Sequence, residues 1–363
     1  MPGQSAIVEA LGVAVAARVP VLLWGPPGSG KTSALKAMAH AMGWPIEVVI
    51  ASIREPSDFA GLPVVIQGEV SFAPPRWARR LAEQGHGLLF LDELSTAPPA
   101  VQAALLRVVL ERVVGDLDLP EEVAVVAAAN PPEQAADGWD LSAPLANRFC
   151  HLDWDVDPRA FAEGITGGFV SPVPPALPLH WEATALPAAT GLVAAFSIVR
   201  SGLVCAPPSD RTAAGRGWPS PRSWETAARL LAAAHAAGAS AEAVSALVRG
   251  SVGDGAGVEF LAWSEEMDLP DPEAVLADPG SFVLPERGDR AYAALAAVAA
   301  AVSANATPER WVAGWKVMAR AGERAPDVAA MAARVLARCR PAGASPPPEV
   351  KAFLPLLKDA GLL

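Results

Sequence analysis

Gly25-Pro26-Pro27-Gly28-Ser29-Gly30-Lys31-Thr32 is the stretch that decides the fold. It fits the pattern G-x-x-x-x-G-K-[ST]. In front of it lies 19–24 (VPVLLW), a short apolar run ending at glycine, which reads as a buried parallel strand. Behind it, Leu35, Met38, Ala39 and Met42 recur at helical spacing and predict a helix over 30–42. Strand, glycine loop and helix form the context in which this pattern holds phosphate. Glycines let backbone N–H groups converge on phosphate oxygens without Cβ clashes. The helix N-terminus adds its positive dipole end. Lys31 is expected to reach the β- and γ-phosphates, and the Thr32 hydroxyl to ligate Mg²⁺. Residues Gly25 to Ser33 are therefore the candidate nucleotide-binding segment.

Working outward, further strands are expected over 46–51, 87–91, 123–128 and 150–154. An amphipathic helix is expected over 99–114 (PAVQAALLRVVLERVV). Five β-runs separated by helices predict a doubly wound parallel sheet. The run Leu88-Leu89-Phe90-Leu91-Asp92-Glu93 ends in two carboxylates, where parallel strands face their ligand crevice. Asp92 is placed to hold Mg²⁺ with Thr32. Glu93 points the other way, because strand side chains alternate, and is the candidate to take a proton from the attacking water or orient it. Asn130, after Ala127-Ala128-Ala129, ends another strand with a lone amide suited to a γ-phosphate or water.

Two arginines join this set. Arg148 closes a short helix over 142–147. Arg222 lies in the first turn of a helix whose N-cap is Ser220 and whose first residue is Pro221. A cation in a first turn opposes the helix dipole, which an anion nearby would offset.

The chain has 363 residues, 52% hydrophobic and 18% charged, enough for sizeable cores and too apolar for global disorder. Its net charge of -11 disfavours non-specific nucleic-acid binding. Only five lysines stand beside 23 arginines, and Lys31 is one of the five. Cys150, Cys205 and Cys339 form neither a disulfide framework nor a zinc spacing. The start, Met1-Pro2-Gly3-Gln4, lacks the positive stretch of a secretion signal. No apolar stretch of about 20 residues is expected to span a bilayer, 291–304 coming nearest. A cytoplasmic protein without membrane contact is the expectation. Three regions are expected: a nucleotide-binding core over 1–155, a Pro/Gly-rich crossover over 156–219, and helices over 220–363. Pro346-Pro347-Pro348 precedes a last helix over 349–360.

The phosphate loop, Asp92-Glu93, Asn130, Arg148 and Arg222, in this order, resemble the AAA+ ATPases. Within them the chain resembles the MoxR group and the dynein-related, midasin-like ATPases. Pro56-Ser57-Asp58-Phe59-Ala60-Gly61 and Leu145-Ala146-Asn147-Arg148-Phe149 support this. The core resemblance covers about 5–155. One departure is Thr96, where MoxR members often carry arginine.

The resemblance implies a P-loop NTPase core with a five-stranded parallel sheet, followed by an all-α lid. It implies the two Walker motifs at Lys31, Thr32, Asp92 and Glu93, and sensor 1 at Asn130. It implies a sensor 2 at Arg222 acting in cis, and an arginine finger at Arg148 reaching a neighbour's nucleotide. ATP and Mg²⁺ as ligands, a homo-oligomeric ring (usually a hexamer) and a protein client, of the von Willebrand A-domain kind, follow from the same resemblance. A hairpin over 62–77 turning at Gln67-Gly68 resembles the helix-2 insert, with Arg76, Arg79 and Arg80 beyond it. Two other readings compete with ATP-driven remodelling: a nucleotide-gated binding module with little turnover, and a nucleic-acid motor.

Overall fold

A computed structural model of the chain describes residues 4–131, 139–169, 172–359 and 361. Residues 1–3 and 360, which the sequence reading touches, lie outside the described residues. The chain divides into two compact units. The first comprises Met1–Leu177, Cys205–Leu230 and Ala237–Val258; the second comprises Pro178–Val204, Leu231–Ala236 and Glu259–Leu363.

Among the described residues the first unit has nine strands: β1 (Val21–Trp24), β2 (Ile46–Ile50), β3 (Leu62–Ile66), β4 (Glu69–Ala73), β5 (His86–Asp92), β6 (Val113–Val114), β7 (Leu117–Asp118), β8 (Glu122–Ala129) and β9 (Cys150–Asp153). Five of them form one sheet in the order β2-β5-β8-β1-β9, and every pairing in it is parallel. The expected five-stranded α/β core is therefore present. All four residues of β1 and seven consecutive residues of β8 are buried. Sheets covered on both faces need such unbroken apolar runs, which is why the strands were legible.

The strand order, which sequence reading did not supply, positions the site. β8 lies between β1 and β5, with Trp24 opposite Ala129 and Leu91 opposite Ala127. On the far side of β5, Asp92 stands opposite Ile50. The residues that follow β1, β8, β5 and β2 thus meet at one edge, the C-terminal edge of the sheet. Gly25 N–H donates to Ala129 O at 3.1 Å and fixes the start of the phosphate loop there. Arg148 precedes β9 and lies at the opposite, N-terminal edge. Both β1 and β9 are four residues long, so roughly 13 Å of strand separates the two edges.

Two local expectations change. The helix expected over 99–114 ends at Glu111. Arg112 takes a left-handed conformation (φ 58°), and its guanidinium donates to Pro120 O (2.9 Å), Glu121 O (3.2 Å) and Val123 O. Val113-Val114 then turns into a small antiparallel pair with Leu117-Asp118. The helix Gln4–Ala16 was not expected. Ala10, Leu11, Val13, Ala14 and Val15 are all buried, so it carries no clean apolar stripe to read. Its Glu9 accepts from Ser240, the N-cap of the helix Ala241–Val252, through both N–H (3.1 Å) and hydroxyl.

The second unit is helical. Its core gathers Trp311, Trp315, Leu336 and Phe353 from the helices Pro308–Gly322 and Pro326–Arg338 and the 3₁₀ turn Pro348–Phe353. The last helix is split there, with α-helix only over Leu354–Asp359. The apolar stretch over 291–304 belongs to the helix Gly288–Ala304, most of which is buried in this unit. One helix among the described residues, Trp181–Val199, is long and apolar enough to cross a bilayer, against the expectation of none. It packs along Gly288–Ala304 instead.

Candidate active site

The helix after the phosphate loop runs Lys31–Met42, capped by Gly30 at φ 89° and ended by Gly43 at φ 65°. Gly28 and Gly30 both take positive φ with open space where a Cβ would stand, which leaves the loop's concave side clear for a ligand. Gly25 is required for a different reason. A Cβ there would stand 2.5 Å from Trp154 O. Trp154 also donates its indole N–H to Ser29 O at 3.1 Å, so the residue after β9 props the loop from beneath. Pro27, Gly28, Gly30 and Ser33 are exposed, while Pro26, Ser29 and Thr32 are half-buried.

Lys31 is buried, and its ammonium donates to Gly25 O (2.7 Å) and Pro26 O (3.0 Å). Burial lowers its pKa, and the Asp92 carboxylate pushes it back up. The Ser29 hydroxyl is buried without a protein partner, an orphan polar group on the loop that a phosphate oxygen would satisfy. These features fit a nucleotide phosphate chain. The Thr32 hydroxyl donates to Asp92 Oδ2 at 2.9 Å, pairing two hard oxygen donors beside the loop, as Mg²⁺ requires.

Glu93 sits in the left-handed region (φ 58°, ψ 41°), a conformation rarely adopted by residues with a long side chain. Its N–H donates to Asp92 Oδ1 at 3.0 Å, and its carboxylate accepts from the Ser52 hydroxyl. Ser52 follows β2 in the turn Ala51–Ile53 and was missed in the sequence. Nothing local marks it, since only the strand order brings β2 beside β5. Asn130 is half-buried, and its N–H donates to Ser95 Oγ at 3.1 Å. Lys31, Thr32, Asp92, Glu93 and Asn130 are thus all brought to the C-terminal edge.

The two arginines are placed elsewhere. The Arg148 guanidinium donates to Pro144 O, and its Nε is buried without a partner. Its pKa is lowered by burial and by the positive charge of Arg222. Asn147 explains the approach. Its Oδ1 accepts from the Ser220 hydroxyl at 2.6 Å, and its amide donates to Trp218 O at 3.0 Å. That fixes the start of the helix Pro221–Ala237, with exposed Arg222 in its first turn, beside the helix Ala143–Ala146. Arg222 and Arg148, expected to act in cis and in trans respectively, lie near enough for the charge of one to act on the other. Among the described residues, neither forms a hydrogen bond or ion pair with Lys31, Thr32, Asp92 or Glu93.

The expected hairpin is β3–β4, antiparallel with Ile66 opposite Glu69. Gln67 (φ 54°) and Gly68 (φ 89°) are both left-handed, the type I′ turn that suits strand twist. Leu62, Val65, Ile66, Val70 and Phe72 are exposed on it. Of the arginines beyond, Arg80 pairs with Glu47 at 2.7 Å, Arg79 Nε donates to Pro74 O at 3.1 Å, and Arg76 is exposed.

His151, on β9, is a further buried residue the sequence did not flag. Trp24 Nε1–H donates to its Nδ1 at 2.9 Å, so Nε2 carries the proton and donates to Ala146 O at 2.9 Å. Burial pushes its pKa down to about 4. In the unfolded chain the ring takes up a proton below its ordinary 6.5; the folded ring does not until about 4. Its contribution to stability is complete above pH 6.5 and lost as pH falls towards 4, by about 3 kcal/mol in all. Denaturant unfolding between pH 7.5 and 4 should show this slope, and His151→Gln should flatten it.

Comparison with known proteins places the core. Residues 20–149 match the family model of the AAA domain, dynein-related subfamily. Chaperone MoxR1 of Mycobacterium tuberculosis (strain ATCC 25618 / H37Rv) is 32% identical over 136 residues, 36% of this chain and 35% of that protein. Protein MoxR of Paracoccus denitrificans is 33% identical over 114 residues, 30% and 32% of the two chains. The Holliday junction branch migration complex subunit RuvB of Synechococcus sp. (strain CC9605) is 31% identical over 167 residues, 40% and 41%. The chain spans between about a third and two fifths of the length of these relatives. With the phosphate loop, the two carboxylates and Asn130 at one sheet edge, residues 20–149 are similar in sequence and in site layout to the AAA domain of the dynein-related subfamily and to the MoxR proteins.

Proposed function

We propose that this chain is an Mg²⁺-dependent ATPase that works as a homo-oligomeric ring, of six subunits by resemblance, to remodel or mature a protein partner. One observation carries the reading. Lys31, Thr32, Asp92, Glu93 and Asn130 occupy one edge of the sheet, and Arg148 with Arg222 occupies the other. Neither Arg148 nor Arg222 is hydrogen-bonded or ion-paired to the loop residues of its own chain among the described residues, and a second copy would supply the pair. Placing one subunit's N-terminal edge against the next subunit's loop also propagates head to tail, as a closed ring demands.

Gly28, Ser29, Gly30 and Lys31 would hold the β- and γ-phosphates, and Thr32 with Asp92 would hold the metal. Mg²⁺ when bound neutralises charge developing on the phosphate oxygens. Glu93 would accept a proton from water, with Asn130 orienting that water. A protein client is favoured over nucleic acid by the net charge of -11. The resemblance of the motifs to the MoxR group makes a von Willebrand A-domain protein the first client to try, with the exposed β3–β4 hairpin as the surface offered to it. A cytoplasmic setting suits three free cysteines.

Complementation tests the shared site. Lys31→Ala keeps its arginines and loses its loop; the Arg148→Ala, Arg222→Ala double variant does the reverse. Each alone should be inactive, and mixing them should restore ATP hydrolysis, because mixed interfaces contain one intact loop facing one intact arginine pair. Mixed rings, verified by native mass spectrometry, that stay inactive would sink the reading.

A second reading, a nucleotide-gated switch with little turnover, is favoured by the Ser52–Glu93 hydrogen bond, which occupies the base. Ser52→Ala separates them. A several-fold rise in basal hydrolysis supports a restrained base on an active ATPase, whereas no steady-state turnover in either protein supports the switch.

A further inference from the structure

Trp24 is the last residue before the phosphate loop, and Arg148 and Arg222 stand at the far edge of the sheet. Two continuous links join them. In the first, the Trp24 indole donates to His151 (2.9 Å), whose other nitrogen donates to Ala146 O (2.9 Å), two residues before Arg148. The rings of Trp24 and His151 also stack, 14° from parallel. In the second, the Arg216 guanidinium lies 4.2 Å above the Trp24 ring and is held by Asp153 at 2.7 Å. Arg216 sits six residues before Arg222, in the segment that leads to its helix. Trp24 is thus contacted by the lead-in to each arginine, and the site described above uses neither Trp24 nor His151.

The helix Ala143–Ala146 is a single turn, too short to hold itself. Ala146 O accepts from Phe149 N–H (3.1 Å) as well as from His151. The position of Arg148 therefore depends on what holds that carbonyl. Gly25 N–H is bonded to Ala129 O, and Trp24 is the residue through which the loop joins β1.

We propose that Trp24 and His151 are positioning residues that couple nucleotide at a subunit's own phosphate loop to the arginine pair that the subunit presents at its other edge. The proposal rests on the reading of residues 25–32 as a nucleotide site. In a ring it would let one subunit's nucleotide state set the reactivity of its neighbour's. A coupling claim needs two sites and an element that both of them bias; here the element is the turn 143–149.

Hydrogen exchange tests this on the full chain, diluted until it is monomeric so that ring contacts cannot protect the turn. ATP with Mg²⁺ is added to the Glu93→Gln background, and amides 147–149 are followed. Binding should change their exchange rate several-fold. His151→Leu should abolish that response with ATP affinity within about twofold of the parent. His151→Gln, which keeps one acceptor and one donor, should restore it. Trp24→Phe keeps the ring beneath Arg216 and removes only the indole donor; it should weaken the response, and combining it with His151→Leu should add nothing more. An ATP response that survives in His151→Leu would overturn the proposal, as would a loss that His151→Gln does not restore while both variants melt with the parent. If the parent binds ATP with no response at 147–149, the coupling is absent although the nucleotide site stands. If it binds no ATP, the underlying reading itself has failed.

Discussion

Lys31→Ala is expected to lower ATP affinity on the order of a hundredfold or more and to remove hydrolysis. Lys31 is the one loop residue that brings a full positive charge to the phosphates. It does so from a buried position, with its ammonium held 2.7 Å from Gly25 O and 3.0 Å from Pro26 O. Burial lowers its pKa while Asp92 raises it, so the same carboxylate that lies beside the metal site helps to keep the ammonium charged. Alanine removes that charge and leaves the Gly25 and Pro26 carbonyls without the ammonium they accept from. Lys31→Arg should not rescue, because a planar guanidinium cannot converge on the carbonyls as a compact ammonium does. This bears on composition: in a chain with 23 arginines, lysine is retained here for shape. Equilibrium titration with a fluorescent ATP analogue checks the expectation. Affinity retained within a few-fold would show that the loop binds something other than a nucleotide triphosphate.

Glu93→Gln should separate binding from chemistry. Asp92 is engaged with Thr32, and the left-handed backbone at Glu93 turns the second carboxylate away from that pair, toward Ser52. Glutamine can still accept from Ser52, so the geometry survives, but it cannot take a proton from water. The kcat should fall about 10²- to 10⁴-fold, the range for a lost general base. ATP affinity should hold, and ATP should stay bound long enough to capture a client. Asp92→Asn should act differently, weakening Mg²⁺ dependence first. Unchanged kcat in Glu93→Gln would falsify its role as base and move that role to a group not yet placed.

The sequence was most informative where chemistry demands a local pattern. The phosphate loop was readable because positive φ at Gly28 and Gly30, the cation at position 31 and the hydroxyl at 32 must be contiguous to wrap one phosphate chain. The buried strands were readable because a sheet covered on both faces needs unbroken apolar runs. Helix Pro308–Gly322 starts where Thr307-Pro308 sets it, since an N-cap hydroxyl and a first-position proline are both local devices. Helix Gln4–Ala16 escaped because it is buried nearly all round, and the hairpin at 113–118 because a left-handed Arg112 stops a helix its sequence would continue.

What the sequence determined by itself is therefore the nucleotide loop, the carboxylate pair and the α/β class, each set by neighbours a few residues apart. Tertiary structure alone decided the partnerships. Strand order β2-β5-β8-β1-β9 put Ser52 against Glu93 and Asn130 beside the loop. The Asn147–Ser220 hydrogen bond, spanning 73 positions, put Arg222 near Arg148. Such contacts leave no periodic or motif signal, because each depends on which strands and helices pack as neighbours, and that is settled by burial of whole faces.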